Sequence, residues 1–290
     1  MRIVDIYKQK KPVISFEVFP PKKKSGLEAI WDVLGELACL SPDFISVTYG
    51  AGGIGTSNKT LDVAAHIKNV HGVEALAHLV GIGASRLEIE AVLDELEARG
   101  IENILALRGD IPQENPGQGD YRYAAQLLRD IRSSRGETLC IGAACYPEGH
   151  IDCGDDGANL AHLKAKQEAG ADFLISQLFF DNGLFFRFWE SALKERIYLP
   201  ISAGIMPILS KSQIQRMIFM CGASLPSNII KLLHRYEHSP GDLRKAGIEY
   251  AVRQAQGLIE GGVDGVHIYT MNHTDIAEAH MKAMGAKARG

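Results

Sequence analysis

Leu139-Cys140-Ile141-Gly142-Ala143-Ala144, a helical stretch over 156–169 ended by Gly170, and then Phe173-Leu174-Ile175-Ser176-Gln177-Leu178 together decide the fold class. Two short apolar runs flank a longer amphipathic one. Runs that are apolar at nearly every position read as strands buried on both faces, the mark of a parallel sheet covered by helices. Glycine just past the last helical turn is the residue that a left-handed helix stop favours.

The same unit recurs on both sides. Towards the N-terminus, strands are predicted at 13–19, closed by Pro20-Pro21, and at 44–49, 75–80 and 103–107. Helical patterns follow them from Leu27 to Ala38, over 56–70, from Leu87 to Gly100 and over 121–135. Towards the C-terminus, strands at 199–205 and 266–270 are joined by helices at 183–195, 211–220 and 274–284, with a longer helical stretch over 226–260. Eight strand-then-helix units in about 250 residues predict an α/β fold, a (β/α)8 TIM barrel with extra helices before the last strand. No Pro/Ser-rich linker divides the chain, so residues 1–290 are read as one barrel domain without a regulatory domain. The polar stretch 111–120 is read as a loop after the fourth strand.

Composition narrows the function. The chain has 290 residues, of which 46% are hydrophobic and 23% charged, so it can bury a sizeable core. Lys and Arg number 31 against 35 Asp and Glu, a net charge of −4 that leaves no basic footprint for nucleic acid. Glycine, at 30 residues, exceeds the usual share of about 7%. Gly100, Gly136, Gly170, Gly222 and Gly261 explain part of that excess as helix stops. Five cysteines without a CxxC pair argue against disulfides and a zinc ribbon, and place the chain in the reducing cytoplasm. No signal peptide and no apolar run of membrane-spanning length is present.

Barrel chemistry sits at the C-terminal ends of strands. Strand one carries Glu17 among apolar neighbours. An ionised carboxylate there costs several kcal/mol unless it is paired. It is either a proton-handling group or the partner of a buried arginine. Strand two ends at Thr48, a β-former or a ligand contact. Strand three holds His78, a satisfied core histidine or a functional one. Strand four ends Leu107-Arg108-Gly109-Asp110, an ion pair or a grip on phosphate and a polar ring edge. Strand five ends Ala144-Cys145-Tyr146-Pro147-Glu148 with His150 next, strand six reaches Gln177, and the last strand ends Tyr269-Thr270-Met271-Asn272-His273.

Gly50-Ala51-Gly52-Gly53-Ile54-Gly55 fits G-x-G-x-x-G, the dinucleotide-binding fingerprint. That reading needs an acid at the end of the next strand, whereas Glu74 stands at its start, and the barrel count opposes it. HExxH and G-x-S-x-G are both missing, so metal hydrolysis and acyl hydrolysis are unsupported. No metal site is expected.

Six ordered motifs carry a resemblance: Ser15-Phe16-Glu17-Val18-Phe19-Pro20-Pro21, Ser46-Val47-Thr48-Tyr49-Gly50, Ala77-His78-Leu79, Ala106-Leu107-Arg108-Gly109-Asp110, Tyr146-Pro147-Glu148-Gly149-His150 and Gln177-Leu178-Phe179-Phe180-Asp181. From about residue 12 to the last strand, the chain resembles the methylenetetrahydrofolate reductase family of the bacterial catalytic-domain type. The resemblance implies a flavin-dependent barrel that converts 5,10-methylenetetrahydrofolate to 5-methyltetrahydrofolate. It implies FAD as cofactor, and NADH, NADPH or a partner protein as electron donor. It also implies a homo-oligomer, or a hetero-complex with a redox partner subunit such as an iron–sulfur protein.

Carried onto this chain, Glu17 resembles the general acid that opens the folate's imidazolidine ring. Asp110 resembles the carboxylate beside flavin and pterin. Thr48, His78, Leu107, Arg108, Tyr123, Ala124, Ala144, His150 and Lys166 resemble the FAD pocket. Gln177, Gln213 and Tyr269 resemble folate contacts. Three positions depart from the family pattern. Asn159 stands in place of an aspartate on the FAD side, Met217 in place of an aromatic on the substrate side, and His273 in place of an arginine after the last strand. Two other readings share the barrel: a flavin barrel acting on another substrate, and a non-catalytic subunit of a redox complex.

Overall fold

The computed structural model describes residues 1–21, 27–49, 57–110 and 119–285. The G-x-G-x-x-G stretch, Lys22–Lys24 and residues 111–118 of the predicted loop lie outside them. Eight parallel strands close into a barrel in sequence order: β1 (Val13–Val18), β2 (Phe44–Val47), β3 (Glu74–Val80), β4 (Asn103–Leu107), β5 (Cys140–Cys145), β6 (Phe173–Ser176), β7 (Ile201–Ile205) and β8 (Gly265–Tyr269). β1 pairs with both β2 and β8, so the ring is complete and no edge remains open. The outer helices are α2 (Leu27–Cys39), α3 (Ser57–His71), α4 (Arg86–Ala98), α5 (Ala124–Arg135), α6 (Asp156–Glu168), α7 (Asn182–Lys194), α8 (Lys211–Cys221), α9 (Ser227–Arg235), α10 (Pro240–Glu260) and α11 (Thr274–Ala283). This is the (β/α)8 barrel expected from the repeating unit.

Alternation along each strand divides the core in two. Phe16, Val18, Ile45, Val47, Ala77, Leu79, Ile104 and Ala106 pack outward into the layer shared with the helices. Val13, Phe44, Leu76, Leu105, Cys140, Phe173 and Ile175 fill a separate inner cluster. An N-terminal helix, α1 (Ile3–Gln9), completes that cluster with Ile3 and Ile6. The Ile3 amide donates to Asn103 Oδ1 at 2.7 Å, and Tyr7 Oη lies 2.7 Å from Ser202 Oγ. Sequence reading did not find α1, because seven residues are too few to show a helical period. Phe173 stands at the centre, with its ring 5.7 Å from that of Tyr7 and 6.2 Å from that of Phe44. Gly142 leaves the room, since a Cβ there would fall 2.6 Å from the Phe173 ring.

Two expectations need correction. The helical stretch over 226–260 is two helices. Pro240 opens α10, because a proline lacks the N–H that would continue α9 but fits the first helical turn. The helix stop predicted at Gly261 lies one residue later: Gly261 has φ −74°, and Gly262 takes the left-handed conformation at φ 79°. Gly261 has a packing role instead, since a Cβ there would meet the Phe186 ring at 2.2 Å. Gly100, Gly136, Gly170 and Gly222 all have positive φ, as expected of residues that end helices.

Candidate active site

The C-terminal mouth of the barrel holds a cavity of about 670 Å³, within the range of small-molecule sites. Glu17, Thr48, His78, Leu107, Arg108, Asp110, Ala144, His150, Gln177, Met217 and Tyr269 line it. Residues far apart in sequence arrive there because every strand delivers its last inward-facing side chains to the same end. A second cleft opens off this cavity towards α5 and α6, sharing Leu107, Arg108, Ala144, Tyr146 and His150. It is completed by Tyr123, Ala124, Asn159, His162 and Lys166.

Glu17 is half-buried on the cavity floor. Its partner is not a buried arginine. Glu17 Oε2 lies 3.3 Å from His267 Nε2 and 3.6 Å from His78 Nε2. Each imidazole nitrogen network ends in a serine: His267 Nδ1 lies 2.8 Å from Ser15 Oγ, and His78 Nε2 lies 2.6 Å from Ser46 Oγ. Register explains the meeting. In the ladder, Ser15 stands opposite His267 and Glu17 stands opposite Tyr269 on β8 and Ser46 on β2. Burial pushes the His78 pKa down to about 4, against the pull of Glu17. His78 therefore stays neutral near neutral pH; it is hydrogen-bonded to Ser46 and lines the cavity.

Tyr269 donates its hydroxyl proton to the Ser176 carbonyl at 3.0 Å, and burial holds that phenol well above its ordinary pKa. Gly204 makes way for it, because a Cβ there would lie 2.9 Å from the Tyr269 ring and 2.3 Å from the Ser176 carbonyl oxygen. Gln177 follows β6, and its side-chain oxygen accepts from the Leu178 amide at 2.8 Å, which leaves the amide NH2 without a partner among the described residues. Asp110 is exposed at the mouth.

The side cleft brings two cationic side chains, Arg108 and Lys166, together with Asp152. Lys166 donates to the Ala144 carbonyl at 2.7 Å and lies 5.2 Å from the Tyr146 ring centre. Among the described residues no carboxylate lies within ion-pair distance of it. Burial brings the Lys166 pKa down to about 8, with Arg108 adding to the effect. Arg108 pairs with Asp152 at 2.7 Å. A partly desolvated ammonium with only carbonyl and ring partners could be compensated by an anionic group, so the donor set is compatible with a diphosphate. Tyr123 is half-exposed and stacks on His162 at 5.6 Å between ring centres, a platform for a planar group. Asn159 is buried and donates from Nδ2 to the Tyr146 carbonyl at 3.0 Å. His150 packs edge-on against Tyr146, and burial with nearby Arg108 holds its pKa below the ordinary value.

Two predicted positions fall elsewhere. Gln213 does not line the mouth cavity. Its side chain accepts from the Leu209 amide and donates to the Pro207 carbonyl, bracing the start of α8. His273 is the residue preceding α11. His267, Ser15 and Ser46 escaped sequence reading. Strand alternation was the available signal, since His267 is two residues before Tyr269 and so shares its face. Among the described residues, no group of three or more His, Cys, Asp or Glu side chains could hold a metal ion, and no helix is long and apolar enough to cross a membrane.

The family model of methylenetetrahydrofolate reductase matches residues 2–285. The chain belongs to the methylenetetrahydrofolate reductase family. A 5,10-methylenetetrahydrofolate reductase of Pectobacterium carotovorum is 33% identical over 274 residues, 94% of this chain and 90% of that protein. Methylenetetrahydrofolate reductase (NADH) 1 of Arabidopsis thaliana is 33% identical over 289 residues, 94% of this chain and 49% of that protein. The chain thus spans about half the length of the plant relatives it matches. Among solved structures, a Clostridium thermocellum protein described as binding two copies of 5-methyl-5,6,7,8-tetrahydrofolic acid superposes with a TM-score of 0.69. Its identity is 13%, and coverage is 98% of this chain and 99% of that one. At that identity the likeness is one of fold.

The buried histidines set a pH dependence for the reductase-family barrel. An unfolded His78 takes up a proton near pH 6.5, whereas the folded one does so only near pH 4. Over that window the unfolded state binds more protons, so stability falls as pH falls. His78 alone accounts for a loss on the order of 3 kcal/mol across it. His66, His150 and His280 are shifted the same way. Denaturant unfolding at pH 7.5, 6 and 5 is expected to show a falling midpoint, with a shallower fall in His78→Gln. A midpoint independent of pH contradicts this assignment.

Proposed function

We propose that this barrel reduces 5,10-methylenetetrahydrofolate to 5-methyltetrahydrofolate with FAD as its bound cofactor. The observation that carries the reading is the continuity of two compartments. The cavity over Glu17 and Asp110 opens directly into the cation-lined cleft of Arg108 and Lys166. Arg108 and Lys166 would hold the diphosphate of FAD, Tyr123 and Ala124 would flank its outer end, and Asn159 would add an amide. Thr48, His78, Leu107, Ala144 and His150 would border the ring system. FAD supplies hydride chemistry when bound.

The chain's own residues handle the proton and the charge. Glu17, on the cavity floor, donates a proton to the ring amine whose protonation opens the five-membered ring. Asp110 places a carboxylate at the mouth, where it stabilises the cationic iminium that opening creates. Gln177 and Tyr269 line the substrate side, with Met217 beside them on α8. In the resting geometry Gln213 is turned to the α8 start, so a folate contact from it requires release of the Leu209 bond. The names of the plant relatives support NADH as donor; NADPH and a redox partner protein are the other donors to test.

The test is anaerobic stopped-flow of the yellow protein. Reduction by NADH, NADPH or a low-potential donor, each alone, identifies the donor. Reoxidation by methylenetetrahydrofolate is the expected second half-reaction. Reduced flavin that stays reduced in its presence rejects the substrate assignment. A protein that purifies colourless and takes up no FAD rejects the cofactor.

Lys166→Met provides a separate check on the cleft. Loss of a charge-assisted contact of about 1.5–3 kcal/mol is expected to weaken FAD affinity about 10- to 100-fold. Fluorescence titration of apoprotein with FAD measures it, and an unchanged affinity removes Lys166 from the cofactor site.

A further inference from the structure

The side cleft sets a carboxylate against its two cations. Among the described residues that line it, Arg108 and Lys166 carry positive charge and Asp152 alone carries a carboxylate. Asp152 stands in the connection between β5 and α6, is 54% exposed, and places Oδ2 at 2.7 Å from Arg108 Nη2. That guanidinium holds the Asp152 carboxyl below the usual carboxylate range, so the group is ionised near neutral pH. His150 is not a rival partner. Its Nδ1 accepts from the Asp152 amide at 3.1 Å, and so has no proton to offer the carboxylate 3.8 Å away. The two cations therefore differ. Arg108 is answered by an acid of the chain, whereas Lys166 has only the Ala144 carbonyl and the Tyr146 ring.

The guanidinium is already partly engaged. Its Nε donates to the Gly109 carbonyl at 3.2 Å and its Nη2 to Asp152, which leaves Nη1 without a partner among the described residues. A two-point grip on a phosphate needs two neighbouring nitrogens. At the outer edge of the guanidinium these are Nη1 and Nη2, and Nη2 is the nitrogen that Asp152 holds. Charge leads to the same conflict. The diphosphate of a dinucleotide is doubly anionic, which Arg108 and Lys166 together would balance; with Asp152 in the same cleft the sum is net negative.

We propose that Asp152 competes with the diphosphate of the cofactor for Arg108, and thereby sets how tightly FAD is held. The inference rests on FAD as the proposed cofactor. Binding of the diphosphate then opens the Arg108–Asp152 bond and releases the carboxylate to water, which its exposure allows. An ion pair this exposed contributes little to the stability of the fold, so a variant without it remains folded. The effect has the opposite sign to that of Lys166→Met: removing the acid tightens binding.

Fluorescence titration of the flavin-free full chain with FAD, at about 20 mM and about 500 mM salt, tests the competition. Asp152→Asn is expected to bind FAD about three- to fivefold more tightly at low salt, the scale of an exposed ion pair, and the gain should fade as salt screens the charges. Asp152→Glu, which keeps the charge, is expected to bind like the parent protein. Riboflavin, which has no phosphate, is expected to bind the parent and Asp152→Asn alike. In an Arg108→Gln background, Asp152→Asn is expected to gain less. Unchanged or weaker FAD binding in Asp152→Asn overturns the proposal, since a carboxylate that merely oriented Arg108 would be missed. An equal gain for riboflavin, or the full gain without Arg108, overturns it as well. Failure of the parent protein to bind FAD counts against the proposed cofactor, and inorganic pyrophosphate then decides the competition, read by NMR of nitrogen-15-labelled arginine side chains. Tighter pyrophosphate binding in Asp152→Asn upholds it; equal binding, or none in either protein, overturns it.

Discussion

Glu17→Gln is expected to retain FAD and to be reduced by the donor at the parental rate, while its reoxidation by methylenetetrahydrofolate falls by about 10²- to 10⁴-fold. The glutamine keeps the shape and the hydrogen-bonding oxygen but has no proton to give to an amine. The surrounding scaffold tolerates the change, because the groups nearest the Glu17 carboxylate are the His78 and His267 imidazoles, with which an amide can also hydrogen-bond. No buried cation is left unpaired, as would follow had the partner been an arginine. Stopped-flow absorbance separates the two half-reactions. Near-parental folate reduction in the variant would remove Glu17 from the role of acid.

Phe173→Ala should have the largest effect on stability. Phe173 is fully buried at the base of the barrel, between the Tyr7 and Phe44 rings and over Gly142. Its neighbours sit on closed strands and on the covering helix α1, so they can collapse only partly into the space left. A phenylalanine-to-alanine change in such a site costs about 3–5 kcal/mol. That is a large share of the roughly 5–15 kcal/mol that holds a typical domain folded. The unfolding midpoint in urea, at unchanged slope, measures it. A loss under about 1 kcal/mol would mean that the inner cluster repacks freely and that α1 is not anchored there. Phe173 itself lines neither the mouth cavity nor the side cleft, so the variant that remains folded should keep its FAD affinity.

Much of the barrel was legible in sequence because its signals are local. Apolar runs such as Ile201–Ile205 are buried at every position, and helix stops such as Gly170 and Gly222 need a backbone conformation that side chains resist. Boundaries moved where tertiary bonds decide them. β6 ends at Ser176, although the Gln177 amide still bonds to the Cys145 carbonyl, and the predicted helical stretch over 226–260 divides at Pro240. Helix α1 was missed because its amphipathic face is short and gains its meaning only from the barrel base that it covers.

The site divides the same way. Glu17, His78, Arg108, Asp110, Gln177 and Tyr269 were recognisable as polar residues at strand ends, and the barrel rim gathers them into one cavity. Gln213 looked equivalent in sequence, yet helix-start bonding turns it aside. By itself, the sequence determined the number of strands, their order and the residue types at the mouth, all of which follow from short-range periodicity. Only the tertiary structure decided which residues touch. Closure of β8 against β1 brings His267 to Glu17 across 250 positions of chain, and ladder register rather than local propensity makes that contact.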